Sequence, residues 1–244
     1  MTECVRIAMW SGPRNLSTTM MRSFGARADT SVWDEPFYAA YLAKTGLDHP
    51  LRAETLDACE ADAEKVAHSL AHGAVRTPIF YQKQMTHHIL PDTPPGWMRA
   101  CRHAFLIRHP ARVLASFRAK YDRVDLDAIG FPQQLSLYET LIGAGGNPPV
   151  IDADDILDDP ETALRLLCRA LEIPWDVAML TWPKGPHPAD GPWAPHWYGQ
   201  VRQSTGFGPP PQEMPRLSGE LQAICEAALP IYQRLYAERI RVQP

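Results

Sequence analysis

The apolar run Val5–Trp10, followed at once by Ser11-Gly12-Pro13-Arg14-Asn15-Leu16-Ser17-Thr18-Thr19, constrains this chain more than any other stretch. A short run of β-branched and aromatic residues reads as a buried strand. Ser-Gly-Pro breaks it, and Leu16 to Ala28 carries apolar residues at helical spacing. Strand, tight loop and helix in that order turn free backbone N–H groups and the positive end of a helix dipole toward one point, the geometry that receives a phosphate.

The pattern then repeats. Short apolar runs at Ser31–Trp33, Val75–Gln82, Ala104–Ile107 and Val150–Asp152 read as further strands. Between them, helical spacing covers Ser17–Ala28, roughly 53–71, Pro110 through Tyr121, Pro132–Leu141 and Pro160–Leu171, with Asp159-Pro160 as cap and first turn. Alternation of this kind predicts an α/β fold, a P-loop-like parallel sheet flanked by helices on both faces, with ligands beyond the carboxyl ends of its strands. Residues Thr181–Pro215 differ, holding nine of the 24 prolines and three of the seven tryptophans. They form either a proline-stiffened surface segment or a lid or wall over a ligand site. A terminal helix is expected from about Pro215 to Ile240, with Pro230 as a kink. The 244 residues suffice for one sizeable core and no linker divides them, so a single domain over 1–244 is expected.

A formal net charge of −4 gives no reason to expect nucleic acid as a partner, so any anion site is a local cationic pocket on a mildly acidic chain. Cys4, Cys59, Cys101, Cys168 and Cys225 are scattered, odd in number and without a C-x-x-C pair, which argues against a disulfide framework or a zinc ribbon. Cys4, Cys101 and Cys168 lie in apolar runs and read as buried free thiols. No signal peptide or membrane-length apolar run is visible. A cytoplasmic setting without a membrane partner is the expectation, and the oligomeric state is not legible.

The loop is close to a nucleotide-triphosphate loop and departs from it in a specific way. A Walker A sequence needs a second glycine followed by lysine. Gly12 is instead followed by Pro13-Arg14-Asn15-Leu16-Ser17-Thr18, with an arginine early and hydroxyls on the first helical turn. Ser17, Thr18 and Thr19 suit a helix N-cap or a phosphate equally, and Arg14 beside them can aim at the same anion.

Pro-Arg-x-x-Ser-Thr-Thr after an N-terminal strand resembles the 5′-phosphosulfate loop of the sulfotransferases that use 3′-phosphoadenosine 5′-phosphosulfate (PAPS). Asn15-Leu16 stands where Ser-Gly is common in that family. The resemblance implies PAPS as co-substrate, no metal, and donor contacts from Gly12, Pro13, Arg14, Asn15, Leu16, Ser17, Thr18 and Thr19. It also implies an arginine at a strand end and a serine eight residues later for the donor's 3′-phosphate, which here are Arg108 and Ser116. The run Val150–Leu157 with Asp159-Pro160-Glu161 is similar to the family's later strand and helix and carries the likeness to about Pro174. Ser204, Thr205 and Gly206 lie where the family closes a loop over the nucleotide, or else make a simple turn.

Sulfuryl transfer needs a base for the acceptor's proton and cations for the charge on the bridging oxygen. Glu35, after the second strand, stands where some members carry a catalytic glutamate, whereas strand alternation turns Asp34 the other way. His87 and His88 are the second choice, since other members use a histidine after the third strand; a surface helix start is the alternative. Arg14 is the expected cation at the bridging oxygen. Lys83 either assists it or is a solvated loop lysine. Arg22 and Arg112 lie in the same regions and are assigned no role. The acceptor is expected to be a small molecule walled by Phe37–Leu42, the region after Lys83 and the tryptophan-rich segment. A small-molecule kinase and a non-catalytic nucleotide-binding protein are the rival readings.

Overall fold

In a computed structural model, residues 4–118, 124–210 and 213–242 are described. Five strands, β1 (Val5–Ser11), β2 (Thr30–Asp34), β3 (Ile79–Met85), β4 (Arg102–Ile107) and β5 (Val150–Asp152), form one sheet in the order β2-β3-β1-β4-β5. The sheet is parallel, as the alternating pattern predicts. The chain divides into two compact units. The first joins Met1–Met9, Thr18–Arg102 and Ala178–Phe207; the second joins Trp10–Ser17, His103–Val177 and Gly208–Pro244.

In the first unit β2 and β3 pair from Thr30 with Ile79 through Asp34 with Lys83. The expected third strand shifts toward the carboxyl side because Pro78 has no N–H for the ladder, so pairing starts at Ile79. Lys83, Gln84 and Met85 therefore belong to the strand, and every residue of β3 is buried. The long helix expected over 53–71 is two, α3 (Arg52–Ala58) and α4 (Ala63–His72). Between them Cys59 is extended and Asp62 starts the second helix, accepting from the backbone N–H of Glu64 and Lys65. An unforeseen helix, α2 (Tyr38–Thr45), sends Tyr38 and Leu42 into a core with Trp193, Ala194 and Tyr198. The proline- and tryptophan-rich segment is thus no loose surface strip: Trp182, Trp193 and Tyr198 are buried, and Asp190 pairs with buried Arg22 at 2.7 Å.

In the second unit Trp10 stacks on Phe105, which meets Tyr138 edge-on. Tyr138 belongs to the helix over Phe131–Gly143, whose Gln134 donates to the Leu106 carbonyl at 2.9 Å. The helix after β4 spans Pro110–Arg118; the rest of its expected course to Tyr121 lies outside the described residues. Asp159 accepts from Thr162 N–H at 3.1 Å and caps the helix Pro160–Ala170, as its Asp-Pro start predicts. The terminal helix runs Gly219–Ala237 with Pro230 inside it. The Cys168 thiol is buried, but Cys4 and Cys101 are only half-buried because each precedes a strand rather than sitting within it.

Asp152 ends β5 and accepts from Asp154 N–H at 2.7 Å and from the Tyr232 hydroxyl at 2.9 Å. Burial outweighs these bonds and pushes its carboxyl up to about 7. In the unfolded chain this carboxyl ionises near about 3.9. Between those values the native state holds the extra proton, so this group's contribution to stability falls as pH rises through the window. Asp152→Asn keeps a capping side chain and removes the titration. Its melting temperature relative to the parent is expected to rise from about pH 4 to about pH 8 and then level off, as followed by circular dichroism.

Candidate active site

The loop after β1 lies in the second unit and is shaped by backbone strain. Arg14 and Leu16 take φ of 62° and 69°, the left-handed region that glycine enters without penalty. Left-handed residues alternating with right-handed ones are the backbone pattern that can turn successive N–H groups to one side and make a concave cradle for an anion. Leu16 takes this conformation where the resembling family commonly has glycine, at a cost of about 1 kcal/mol or more. Gly12 is required for a different reason: a Cβ there would sit 2.5 Å from the Ile129 carbonyl oxygen. Gly12→Ala is expected to cost about 1–3 kcal/mol in urea unfolding, because backbone rather than a flexible side chain must give way.

Three guanidinium groups converge beside this cradle. Arg14 Nε donates to Ser116 Oγ at 2.8 Å, and Arg108 Nη1 donates to the Arg14 carbonyl at 3.0 Å. Arg112 pairs with Asp154 at 2.6 Å, while Arg108 Nε is 4.0 Å from the same carboxylate. Arg108 Nε is buried and has no hydrogen-bond partner among the described residues. Burial pushes the Arg108 guanidinium below its usual value; Asp154 opposes this, and Arg112 and Arg14 add to it. An entering anion would relieve that repulsion and satisfy the orphaned donor. Arg14, Arg108 and Ser116 are thereby brought together. Asn15 is buried below the loop, its amide 3.4 Å from the Leu106 carbonyl. Ser17 opens the helix Ser17–Gly25 and is buried, with Thr18 and Thr19 half-buried in its first turn.

The first unit holds a second cluster. Lys83 Nζ donates to Asp34 Oδ1 at 2.8 Å, Glu35 Oε1 at 2.7 Å and the Tyr198 hydroxyl at 2.6 Å. Asp34 does not turn away from Glu35 as strand alternation predicts. Glu35 takes φ of 43°, which ends the alternation and folds both carboxylates onto one ammonium. Lys83 is 1% exposed, so it is no solvated loop lysine. Burial pushes the Glu35 carboxyl up, Lys83 pulls it back and Asp34 raises it further. Glu35 Oε2 faces His88 Nδ1 at 4.0 Å.

His87 and His88 form a 3-10 turn with Thr86 rather than a surface helix start. His88 stacks on Tyr38 and Tyr41, with ring centroids 4.7 and 4.8 Å away. Burial lowers His87 to about 4 and His88 well below its ordinary value, so both imidazoles are neutral at physiological pH. A groove of about 350 Å³ in the same unit is lined by Phe37, Ala40, Tyr41, His88 and Leu90. Ser204 accepts from Trp182 Nε1 at 3.1 Å and Thr205 O from the Trp182 N–H, while Gly206 bridges Thr181. Those contacts make the 204–206 stretch one side of a short antiparallel pairing.

A profile of the sulfotransferase domain matches residues 5–239. The chain belongs to the sulfotransferase domain family. This sulfotransferase domain has a fold similar to that of two solved structures. One is the sulfotransferase domain from the curacin biosynthetic pathway, with TM-score 0.54 and 14% identity over 93% of this chain and 98% of that one. The other is the sulfotransferase domain from the Synechococcus PCC 7002 olefin synthase, with TM-score 0.59 and 15% identity over 98% and 96%. Two Arabidopsis thaliana proteins named branched-chain-amino-acid aminotransferase-like proteins 1 and 2 are 42% and 41% identical over 96% and 94% of this chain. The chain spans about two-fifths of the length of those relatives. Among the described residues no helix is long and apolar enough to cross a membrane, and no group of three His, Cys, Asp or Glu is placed to hold a metal ion.

The sequence missed Asp34, Trp193 and Tyr198 as members of the Lys83 cluster. A carboxylate beside Glu35 was visible, but its direction depends on a left-handed glutamate that no propensity foretells. Tyr198 reaches Lys83 across 115 residues of sequence.

Proposed function

We propose that this sulfotransferase domain moves a sulfuryl group from PAPS to a hydroxyl or amine of a small molecule. The observation that carries the reading is the joined cluster of Arg14, Ser116 and Arg108, with a buried guanidinium N–H left unpaired. Two phosphorus-bearing groups on one donor need anchors for each, and arginines with a hydroxyl are groups suited to phosphate without the lysine of a triphosphate loop. Arg108 and Ser116 would hold the 3′-phosphate. Arg14, the loop N–H groups and Ser17 to Thr19 would hold the 5′-phosphosulfate.

Glu35 is the proposed base. Its carboxyl is raised toward the working pH by burial, whereas His87 and His88 are poor proton acceptors at their lowered values. The acceptor oxygen or nitrogen attacks sulfur, its proton passes to Glu35, and the bond from sulfur to the 5′-phosphate oxygen breaks. Adenosine 3′,5′-bisphosphate leaves with the electron pair, its new charge met by Arg14. The groove beside Phe37 and Tyr41 is proposed to receive the acceptor. Chromatography of PAPS incubated with the protein and a panel of phenols and primary alcohols tests this. Acceptor-dependent formation of the bisphosphate is expected. Consumption of ATP with magnesium under the same conditions, with PAPS untouched, would favour phosphoryl transfer.

A further inference from the structure

An ammonium has three N–H donors, and buried Lys83 places them on Asp34, Glu35 and Tyr198. None is left for a donor's bridging oxygen. Tyr198 completes the arrangement. Its hydroxyl proton is shared between Asp34 Oδ2 at 2.7 Å and, more weakly, Glu35 Oε1 at 3.3 Å, and its oxygen accepts from Lys83 and from Trp193 Nε1 at 2.9 Å. Its ring also lies under the Lys83 ammonium, 4.7 Å from the centroid. Asp34 and Lys83 form a buried ion pair at 2.8 Å, and Glu35 lies against it. Oε1 is fixed by Lys83 and lies 3.3 Å from the Tyr198 hydroxyl, while Oε2 faces only His88 among the charged or titratable partners described.

We propose that Lys83 and Tyr198 are positioning residues, which pin Glu35 Oε1 and Asp34 so that Glu35 Oε2 is the oxygen that takes the acceptor's proton. The proposal rests on the reading of Glu35 as the base. It gives the tryptophan-rich segment a role distinct from covering the nucleotide: that segment carries the hydroxyl that locks the base. The groups facing Glu35 are Lys83, Asp34, Tyr198 and a neutral His88, so the first three set its titration.

The test is a carbon-13 NMR titration of the Glu35 carboxyl, assigned by its loss in Glu35→Gln, in the parent and in Tyr198→Phe. The variant keeps the ring and its packing and removes the hydroxyl. Because that hydrogen bond favours ionised Glu35, the midpoint is expected to move up by about half a pH unit or more. A general loss of stability would lower the melting temperature without moving the midpoint. If Tyr198→Phe does not fold, the double variant Asp34→Asn with Lys83→Met removes the pinning ion pair without changing net charge, and an upward shift is again expected. An unmoved or lowered midpoint in the variant measured overturns the proposal. Failure of the parent to bind adenosine 3′,5′-bisphosphate in calorimetry overturns the sulfotransferase reading instead, so the two failures are separable.

Discussion

Glu35→Gln leaves adenosine 3′,5′-bisphosphate binding unchanged and lowers turnover by about a hundredfold or more, the scale of a lost general base. The substitution keeps the size of the side chain and an oxygen for Lys83, and Lys83 retains the Asp34 carboxylate at 2.8 Å. The buried ammonium therefore keeps a counter-charge and the fold is preserved, where loss of its last partner would cost about 3–5 kcal/mol. The parent's rate should fall on the acid side at a pH above the ordinary glutamate range, since burial and Asp34 favour the protonated form. That limb is expected to vanish in the variant. Steady-state rates across pH check both statements; near-normal turnover in Glu35→Gln would move the role to His87 or His88.

Arg108→Ala weakens adenosine 3′,5′-bisphosphate binding by about 1.5–3 kcal/mol, the range for a hydrogen bond to a charged group. That corresponds to a roughly ten- to 150-fold rise in Kd. The variant removes the Arg108 bond to the Arg14 carbonyl as well, so part of the loss comes from a looser cradle. Adenosine 5′-monophosphate separates the two contributions. It lacks the 3′-phosphate, so its affinity should change much less on the same substitution. An equal loss for both nucleotides would assign Arg108 to the loop rather than to the 3′-phosphate.

All five strands were legible as short apolar or β-branched runs, although β2 leaves Val32 and Trp33 half-buried, and the parallel sheet followed from their alternation with helices. The strand–loop–helix turn after β1 was legible for the same reason, with Ser-Gly-Pro breaking the strand and hydroxyls at the helix start; the close approach of Ile129 to Gly12 was not. Arg108 and Ser116 were named only through the family resemblance, and in the structure both bond to Arg14. What escaped depends on neighbours distant in sequence. Lys83 and Gln84 read as polar residues past a strand, yet β3 buries them, Lys83 because two carboxylates and a tyrosine meet its charge. The helix Tyr38–Thr45 starts straight after Asp-Glu-Pro without a side-chain cap, so no start signal marks it. Tyr198 sits among prolines that read as a loop, and its burial against Tyr38 and Trp193 is a tertiary effect.

The most direct measurement is a calorimetric comparison of adenosine 3′,5′-bisphosphate, adenosine 5′-monophosphate and ATP with magnesium on the same protein. The bisphosphate is expected to bind at least about tenfold more tightly than the monophosphate, the worth of one charged contact to the 3′-phosphate. It should also exceed ATP with magnesium. Preference for ATP with magnesium, or equal affinity for the bisphosphate and the monophosphate, would contradict a PAPS-type donor site.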